Sequence, residues 1–369
     1  MVFTAPTPTQ LPNISQVLDM IRGAMAQMPV RHRMPYDEPV ENPDVFLLNR
    51  TASGLFTLKP NITMQPCLFY GDNSYHQMKQ PAWNALRRND WMIQNVLREE
   101  FELVMCSHPL HSLFIEGIPT SVAHVRIINP FGLAMAYGFP APMLPLTSSL
   151  DVAAFFATHT QDTETGRWTP IPECNAQGEP NVGVLYMMEL ALPFPMIAGL
   201  SCIGMQAFQR PGVQRMYGLN IGAGENFNRH RLVRGLQFRQ QPAEVQEISR
   251  KFTDGAVLTP DELIARKARA ILTGHQISEA AFAYNCKGNP QDDPNVNRKR
   301  LQAAGYEIIP EQKLLFTEEE LNEQFYPTAE EQWNAMFCHV VAVHPGFDKI
   351  LYDLRKFPET QAGKQFFRK

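Results

Sequence analysis

Residues 150–157 read Leu-Asp-Val-Ala-Ala-Phe-Phe-Ala, and Asp151 is the one charged residue among them. Helical spacing puts Leu150, Ala153, Ala154 and Ala157 on one face and Val152, Phe155 and Phe156 on another, so no broad face is left for water. A helix of this kind must be enclosed by the rest of the chain. Three hydroxyls, Thr147, Ser148 and Ser149, stand at its entry. Ser148, with Asp151 three residues on, has the form of a capping box. A cap needs one hydroxyl, and two are left over. The free N–H groups and partial positive charge of such a helix start suit an anionic ligand.

The chain is long enough to enclose that helix: 369 residues, 44% hydrophobic and 19% charged, describe a globular protein with a substantial core. No run of about 18 apolar residues suggests a membrane span. The opening residues lack a basic patch followed by an apolar segment, so a cytoplasmic location is expected. Six cysteines, at 67, 106, 174, 202, 286 and 338, have no paired spacing and are expected to be mostly buried thiols in a reducing compartment. A net charge of −4 weighs against nucleic-acid binding. The clusters Arg229-His230-Arg231 with Arg234, and Arg298-Lys299-Arg300, read as solvated surface.

Periodicity predicts a helix over 13–27 and another over 89–107. The second is capped by Asn89 or Asp90. It buries Ile93, Val96, Leu97, Phe101 and Val104 and places Arg98, Glu99 and Glu102 opposite. Short strands are expected at 45–48, 55–58, 66–73, 214–220 and 232–238. The apolar run 182–190 reads as a central strand covered on both faces. Thr259-Pro260-Asp261-Glu262 predicts a helix start, with Gly274 as the stop, and 285–297 reads as a loop. Thr317…Glu320 and Thr328…Glu331 are capping boxes opening two more helices. Strands and helices mix without strict alternation. The expected fold class is therefore α+β, a mixed, mostly antiparallel central sheet with flanking helices.

Several chemistries lack their motifs. Cys106, His108 and His111, and likewise Cys338, His339 and His344, have neither the paired cysteines nor the i, i+4 histidines of a zinc site, so no metal is expected. Gly222-Ala223-Gly224 has no strand-to-helix context for a dinucleotide fingerprint. There is no phosphate-binding loop with its G-K-[ST] and no G-x-S-x-G elbow.

Four stretches, in order, resemble the FRG domain, a family named for a Phe-Arg-Gly motif and similar in fold to ADP-ribosyltransferases. LFYGDNSYHQMKQPAWNALRR (68–88) resembles the F-R-G strand and a segment ending in an Arg, here Arg87 or Arg88. NVLREEFELV (95–104) resembles the family's acidic-apolar helix. AYGFPAPMLPLTSSLDVAAFFA (136–157) resembles H-Y-G-L-P-T-R-L-L-D-W-T-x-S-P-L-x-A-L-F-F-A, the most specific of the four. RPGVQRMYGLNI (210–221) resembles a Gln-rich turn, Q-R-Q-Q-G-x-F. The resemblance implies an ADP-ribosyltransferase-like domain over 1–284, with 28–65 inserted, and a helical C-terminal extension, 285–369, packed on it.

It also implies a cleft that takes NAD as substrate. Tyr70, Ser149 and Tyr217 would stand at catalytic positions, and Gly71, Tyr137, Thr147, Ser148 and Gln214 would hold the dinucleotide. Transfer of ADP-ribose to a macromolecule, in a toxin or phage-defence setting, is the implied activity. Departures from the pattern are as specific as the matches. Tyr70 stands for the family's Arg, Ala136 for its His, Ala141-Pro142 for Thr-Arg and Pro145-Leu146 for Asp-Trp. Met216-Tyr217 replace the two glutamines before Gly218. Tyr70 can hydrogen-bond a ribose and Tyr217 can stack, but neither supplies a carboxylate; Glu189 and Glu225 are candidates that no spacing singles out. The alternative is a catalytically inactive FRG-like module that binds a partner, because polar groups buried without a ligand are costly and give way to apolar ones.

Overall fold

The computed structural model describes residues 10–28, 46–50, 56–60, 66–76, 79–81, 88–127, 129–162, 165–190, 199–204, 208–222, 225–338, 340–342 and 346–368. Its centre is a sheet of six strands: β1 (Cys67–Asp72), β2 (Met143–Thr147), β3 (Val182–Glu189), β4 (Leu200–Cys202), β5 (Met216–Asn220) and β6 (Val233–Arg239). They lie in the order β4-β5-β2-β1-β3-β6, and every neighbouring pair is antiparallel. The fold is thus α+β, with an antiparallel central sheet between helices. β3 is buried through its middle, as its unbroken apolar run requires.

Helix Leu150–Thr158 lies directly on this sheet. Ala153, Ala154 and Ala157 pack with Cys67 and Phe69 of β1, Leu185 and Met187 of β3, and the amphipathic helix Ile14–Ala26. Close docking is possible because β1 carries Gly71 beneath the helix. A Cβ at Gly71 would stand 1.8 Å from the Ala153 carbonyl oxygen. Phe155, fully buried, extends to the side, stacks on His159 with ring centroids 4.1 Å apart, and meets Trp168 and Phe252 edge-on.

The opposite face of the sheet, with Leu68, Leu144, Leu146, Tyr186 and Met188, shares one core with the C-terminal helices. Trp333, on helix Ala329–Cys338, is fully buried there; it donates to the Leu354 carbonyl at 2.9 Å and stacks on Phe357. The C-terminal region also supplies strand Val340–Ala342, which pairs in parallel with Phe46–Arg50 in a second, five-stranded sheet. That sheet contains Phe56–Pro60 as well, so the described parts of 28–65 form strands.

Local details depart from expectation for identifiable reasons. The cap of helix Leu150–Thr158 is Ser149, not Ser148; the Ser149 hydroxyl accepts from Val152 N at 3.3 Å, and Asp151 pairs instead with Lys251 at 2.5 Å. Helix Arg88–Cys106 is buried on its polar side too. Arg98 lies beneath the Phe131 ring and Glu100 accepts from the backbone and hydroxyl of Ser278. The helix after Thr259 starts late, as Leu263–Thr273, because the Thr259 hydroxyl is bound to the Gly255 carbonyl. Much of 285–297 is helical: Glu279–Gly288 runs on, and Asp293 with Pro294 caps the next helix, Pro294–Ala303. Of the thiols, Cys67 and Cys202 are buried while Cys106 and Cys174 are exposed. Arg298 is paired with Glu279 at 2.7 Å. Among the described residues, no helix is long and apolar enough to cross a membrane.

Gly71→Ala is expected to cost about 3 kcal/mol, since the added carbon meets backbone on a rigid seat. Gly23→Ala, where no atom stands within 4 Å, should instead stabilise by up to about 1 kcal/mol. Urea unfolding of the two variants measures both.

Candidate functional site

β1 pairs along its whole length with β3, as β2 does with β5. Between β1 and β2, however, the register holds the single pair Phe69↔Thr147. The sheet therefore parts beyond this bridge, and a cavity of about 590 Å³ is lined by Phe69, Tyr70 and Gly71 on one side and Pro145, Leu146 and Thr147 on the other. That volume falls within the range of about 300–1,000 Å³ typical of cofactor sites.

Four peripheral elements complete the wall. The turn after helix Pro130–Ala136 brings Tyr137, and the short helix Gln209–Val213 with its following turn brings Arg210 and Gln214. Helix Leu263–Thr273 contributes Arg269 and Thr273, and the hairpin of His159–Gln161 and Trp168–Pro170 contributes Gln161, Asp162 and Trp168.

One carboxylate organises the Arg210 side. Glu262 accepts from the backbone N–H groups of Gln209 and Arg210, at 2.8 and 3.1 Å, and from the Tyr137 hydroxyl at 2.6 Å. Burial, and then the Glu262 charge, push the Tyr137 phenol well above its ordinary range and keep it a donor. The Arg210 guanidinium lies over the Tyr137 ring, 4.8 Å from its centroid, and its Nη1 donates to the Ala136 carbonyl at 3.4 Å. Its Nε is buried with no hydrogen-bond partner among the described residues. Arg269, which also lines the cavity, sits against Gly166: a Cβ there, at φ +71°, would come within 2.3 Å of Arg269 Nη2.

Of the residues singled out from the sequence, Tyr70, Gly71, Tyr137, Thr147 and Gln214 border this cavity. Tyr70 is half-buried against Tyr186 and Phe227, with the Lys79 ammonium 4.9 Å from its ring centroid and Lys79 paired to Asp72 at 2.6 Å. Burial raises its phenol, which Lys79 opposes. Thr147 is used by the scaffold: its hydroxyl donates to the Gln214 carbonyl at 2.7 Å and accepts from Ser149 N at 3.0 Å. The Gln214 side chain donates to the Leu258 carbonyl at 2.8 Å.

Ser148, Ser149 and Tyr217 do not line the cavity. Ser149 is the helix cap, Ser148 N bonds the Arg215 carbonyl at 3.2 Å, and the Tyr217 ring is buried in the core on the C-terminal face of the sheet. Glu189 pairs with Arg234 at 3.6 Å and Glu225 accepts from Gly222 N, both away from the cavity wall. Arg87 lies outside the described residues, as does the side chain of Arg88. Sequence reasoning missed Arg210, Arg269, Asp162 and Trp168. Arg210 heads the fourth quoted stretch, so a signal was present there; Arg269 and the hairpin are brought in only by long-range packing.

No family model, curated protein or solved structure matches the chain.

Beside Phe208, which precedes this short helix, His108 and His111 are buried among Phe208, Phe316 and Phe325. Among the described residues, no three potential ligands cluster as a metal site; His339 and His344 lie outside the described residues. Burial holds both imidazoles down at about 3, below the ordinary 6.5. Between those values the unfolded chain takes up protons that the native one refuses. Stability is therefore present above pH 6.5 and lost as pH falls toward 3, by about 1.4 kcal/mol per pH unit for each histidine. His111→Leu should flatten the decline of melting temperature between pH 6.5 and 4.5; an unchanged slope would exclude this source.

Proposed function

We propose that the cleft between β1 and β2 binds a pyridine dinucleotide, NAD, in an ADP-ribosyltransferase-like domain, and transfers ADP-ribose from it to a macromolecule. One observation carries this reading: Tyr70, Gly71, Tyr137, Thr147 and Gln214, drawn from three separate stretches with FRG-like patterns, border a single cavity where the central sheet parts. The aromatic rings of Phe156 and Trp168, which also border it, suit stacking on a flat heterocycle.

In the proposed reaction the bond between nicotinamide and ribose breaks. Nicotinamide leaves, a positively charged ribosyl species develops, and a nucleophile of the acceptor closes on it. The cleft's contribution is orientation and stabilisation of that charge. Among the described residues, Asp162 is the carboxylate that borders the cavity. Its Oδ1 accepts from Thr165 N and Oγ1 at 2.6 and 2.8 Å, which fixes its orientation.

The same observation favours a second reading, a non-catalytic module that binds the dinucleotide or a related ligand. One carboxylate among the described wall residues, already engaged by Thr165, is a sparse apparatus for charge stabilisation, and the scaffold consumes the hydroxyls of Thr147 and Ser149.

Incubation with millimolar NAD separates the two. Binding at about a hundred times Kd contributes about 2.7 kcal/mol and raises the melting temperature. For an active enzyme, nicotinamide accumulates and Asp162→Asn slows its release by about 10²–10³-fold with binding retained. A thermal shift without nicotinamide supports the binding module. Neither effect, at millimolar NAD, removes the dinucleotide reading.

A further inference from the structure

Arg210 and Arg269 border the same cavity from different elements, and neither forms an ion pair with a carboxylate among the described residues. Two cations that border one partly enclosed space repel each other, and a bound anion between them turns that repulsion into attraction. Glu262, the acid nearest Arg210, has both oxygens occupied by the Gln209, Arg210 and Tyr137 donors. That network fixes the backbone of Arg210, while stacking on Tyr137 fixes its guanidinium plane. The planar fork presents parallel N–H donors suited to phosphate oxygens. Arg269 is kept in reach by Gly166, the one residue type that leaves its guanidinium room against the hairpin. Burial disfavours the protonated Arg210, Tyr137 and Glu262 oppose this, and the Arg269 charge adds a smaller push in the same direction as burial.

We propose that Arg210 and Arg269 form a diphosphate-binding subsite at one end of the cleft, selecting ligands that carry two linked phosphates. This rests on the reading of the cleft as a nucleotide site and assigns it a charged end; the Phe156–Trp168 region remains for the ring.

The test uses the full chain, with ADP-ribose, inorganic pyrophosphate and adenosine as probes, by titration calorimetry. Arg210→Gln and Arg269→Gln should each weaken ADP-ribose and pyrophosphate by about tenfold or more, while adenosine is unaffected. Arg266→Gln, on the same helix but paired with Asp261, serves as the control and should change nothing. Raising salt from about 50 to 200 mM should weaken pyrophosphate more than adenosine. Arg269 is exposed, so its variant keeps the fold; Arg210→Lys, which retains charge but loses the fork, guards against misfolding of Arg210→Gln and should give an intermediate affinity.

Wild-type affinity for ADP-ribose in both glutamine variants, or no pyrophosphate binding to the wild type, overturns the subsite. The two proposals fail separately. If NAD does not bind but pyrophosphate does and needs both arginines, the subsite stands and the dinucleotide reading falls. If NAD binds equally to the wild type and both variants, the reading stands and the subsite falls.

Discussion

The docking of helix Leu150–Thr158 onto β1 at Gly71 is the contact on which the other packing depends. An apolar helix with no solvated face needs cover on every side, and the absence of a side chain at Gly71 lets it sit on the sheet at backbone distance. Ala153, Ala154 and Ala157 keep that approach close, and Phe155 reaches past them to the hairpin that carries Trp168. Sheet, helix and hairpin are thereby held in one arrangement. The opposite face is closed by Trp333 and its aromatic neighbours, so the C-terminal third contributes to the same core as the sheet.

The cleft is a consequence of the sheet's weakest pairing. β2 follows β5 on one side and β1 follows β3 on the other, and the two halves share only Phe69↔Thr147. Where backbone pairing stops, N–H and C=O groups and the side chains beside them become available to a ligand. Thr147 stands at the fork. Its hydroxyl ties β2 to the Gln214 turn and to the helix start, holding the edge of the opening in place.

Periodicity made the regular elements legible. The helix over 89–107, the strand over 182–190 and the Thr317–Glu320 capping box each follow from local patterns and lie within a residue or two of where expected. Polar residues that pair over long sequence distances were not legible: Arg98 reads as part of the polar side of its helix because Phe131 is far away in sequence, and nothing local announces the bond between Glu100 and Ser278. The site divides the same way. Tyr70, Tyr137, Thr147 and Gln214 could be picked out from ordered stretches, whereas Ser149 and Tyr217 have their roles set by capping and core packing. Arg269, on a helix that reads as ordinary, meets Gly166 across roughly a hundred positions of chain.

The hydroxyls of Thr147 and Ser149 are committed to backbone partners, and Glu262 to two backbone N–H groups and the Tyr137 hydroxyl, whereas Arg210, Arg269, Asp162 and Trp168 reach the cavity from the edges of the fold. The helix seat and much of the cavity's polar lining are therefore written in different residues. A lineage carrying this scaffold can exchange Arg269 and Asp162, which lie outside the helix seat, and so change what borders the cavity in single steps that leave the protein folded.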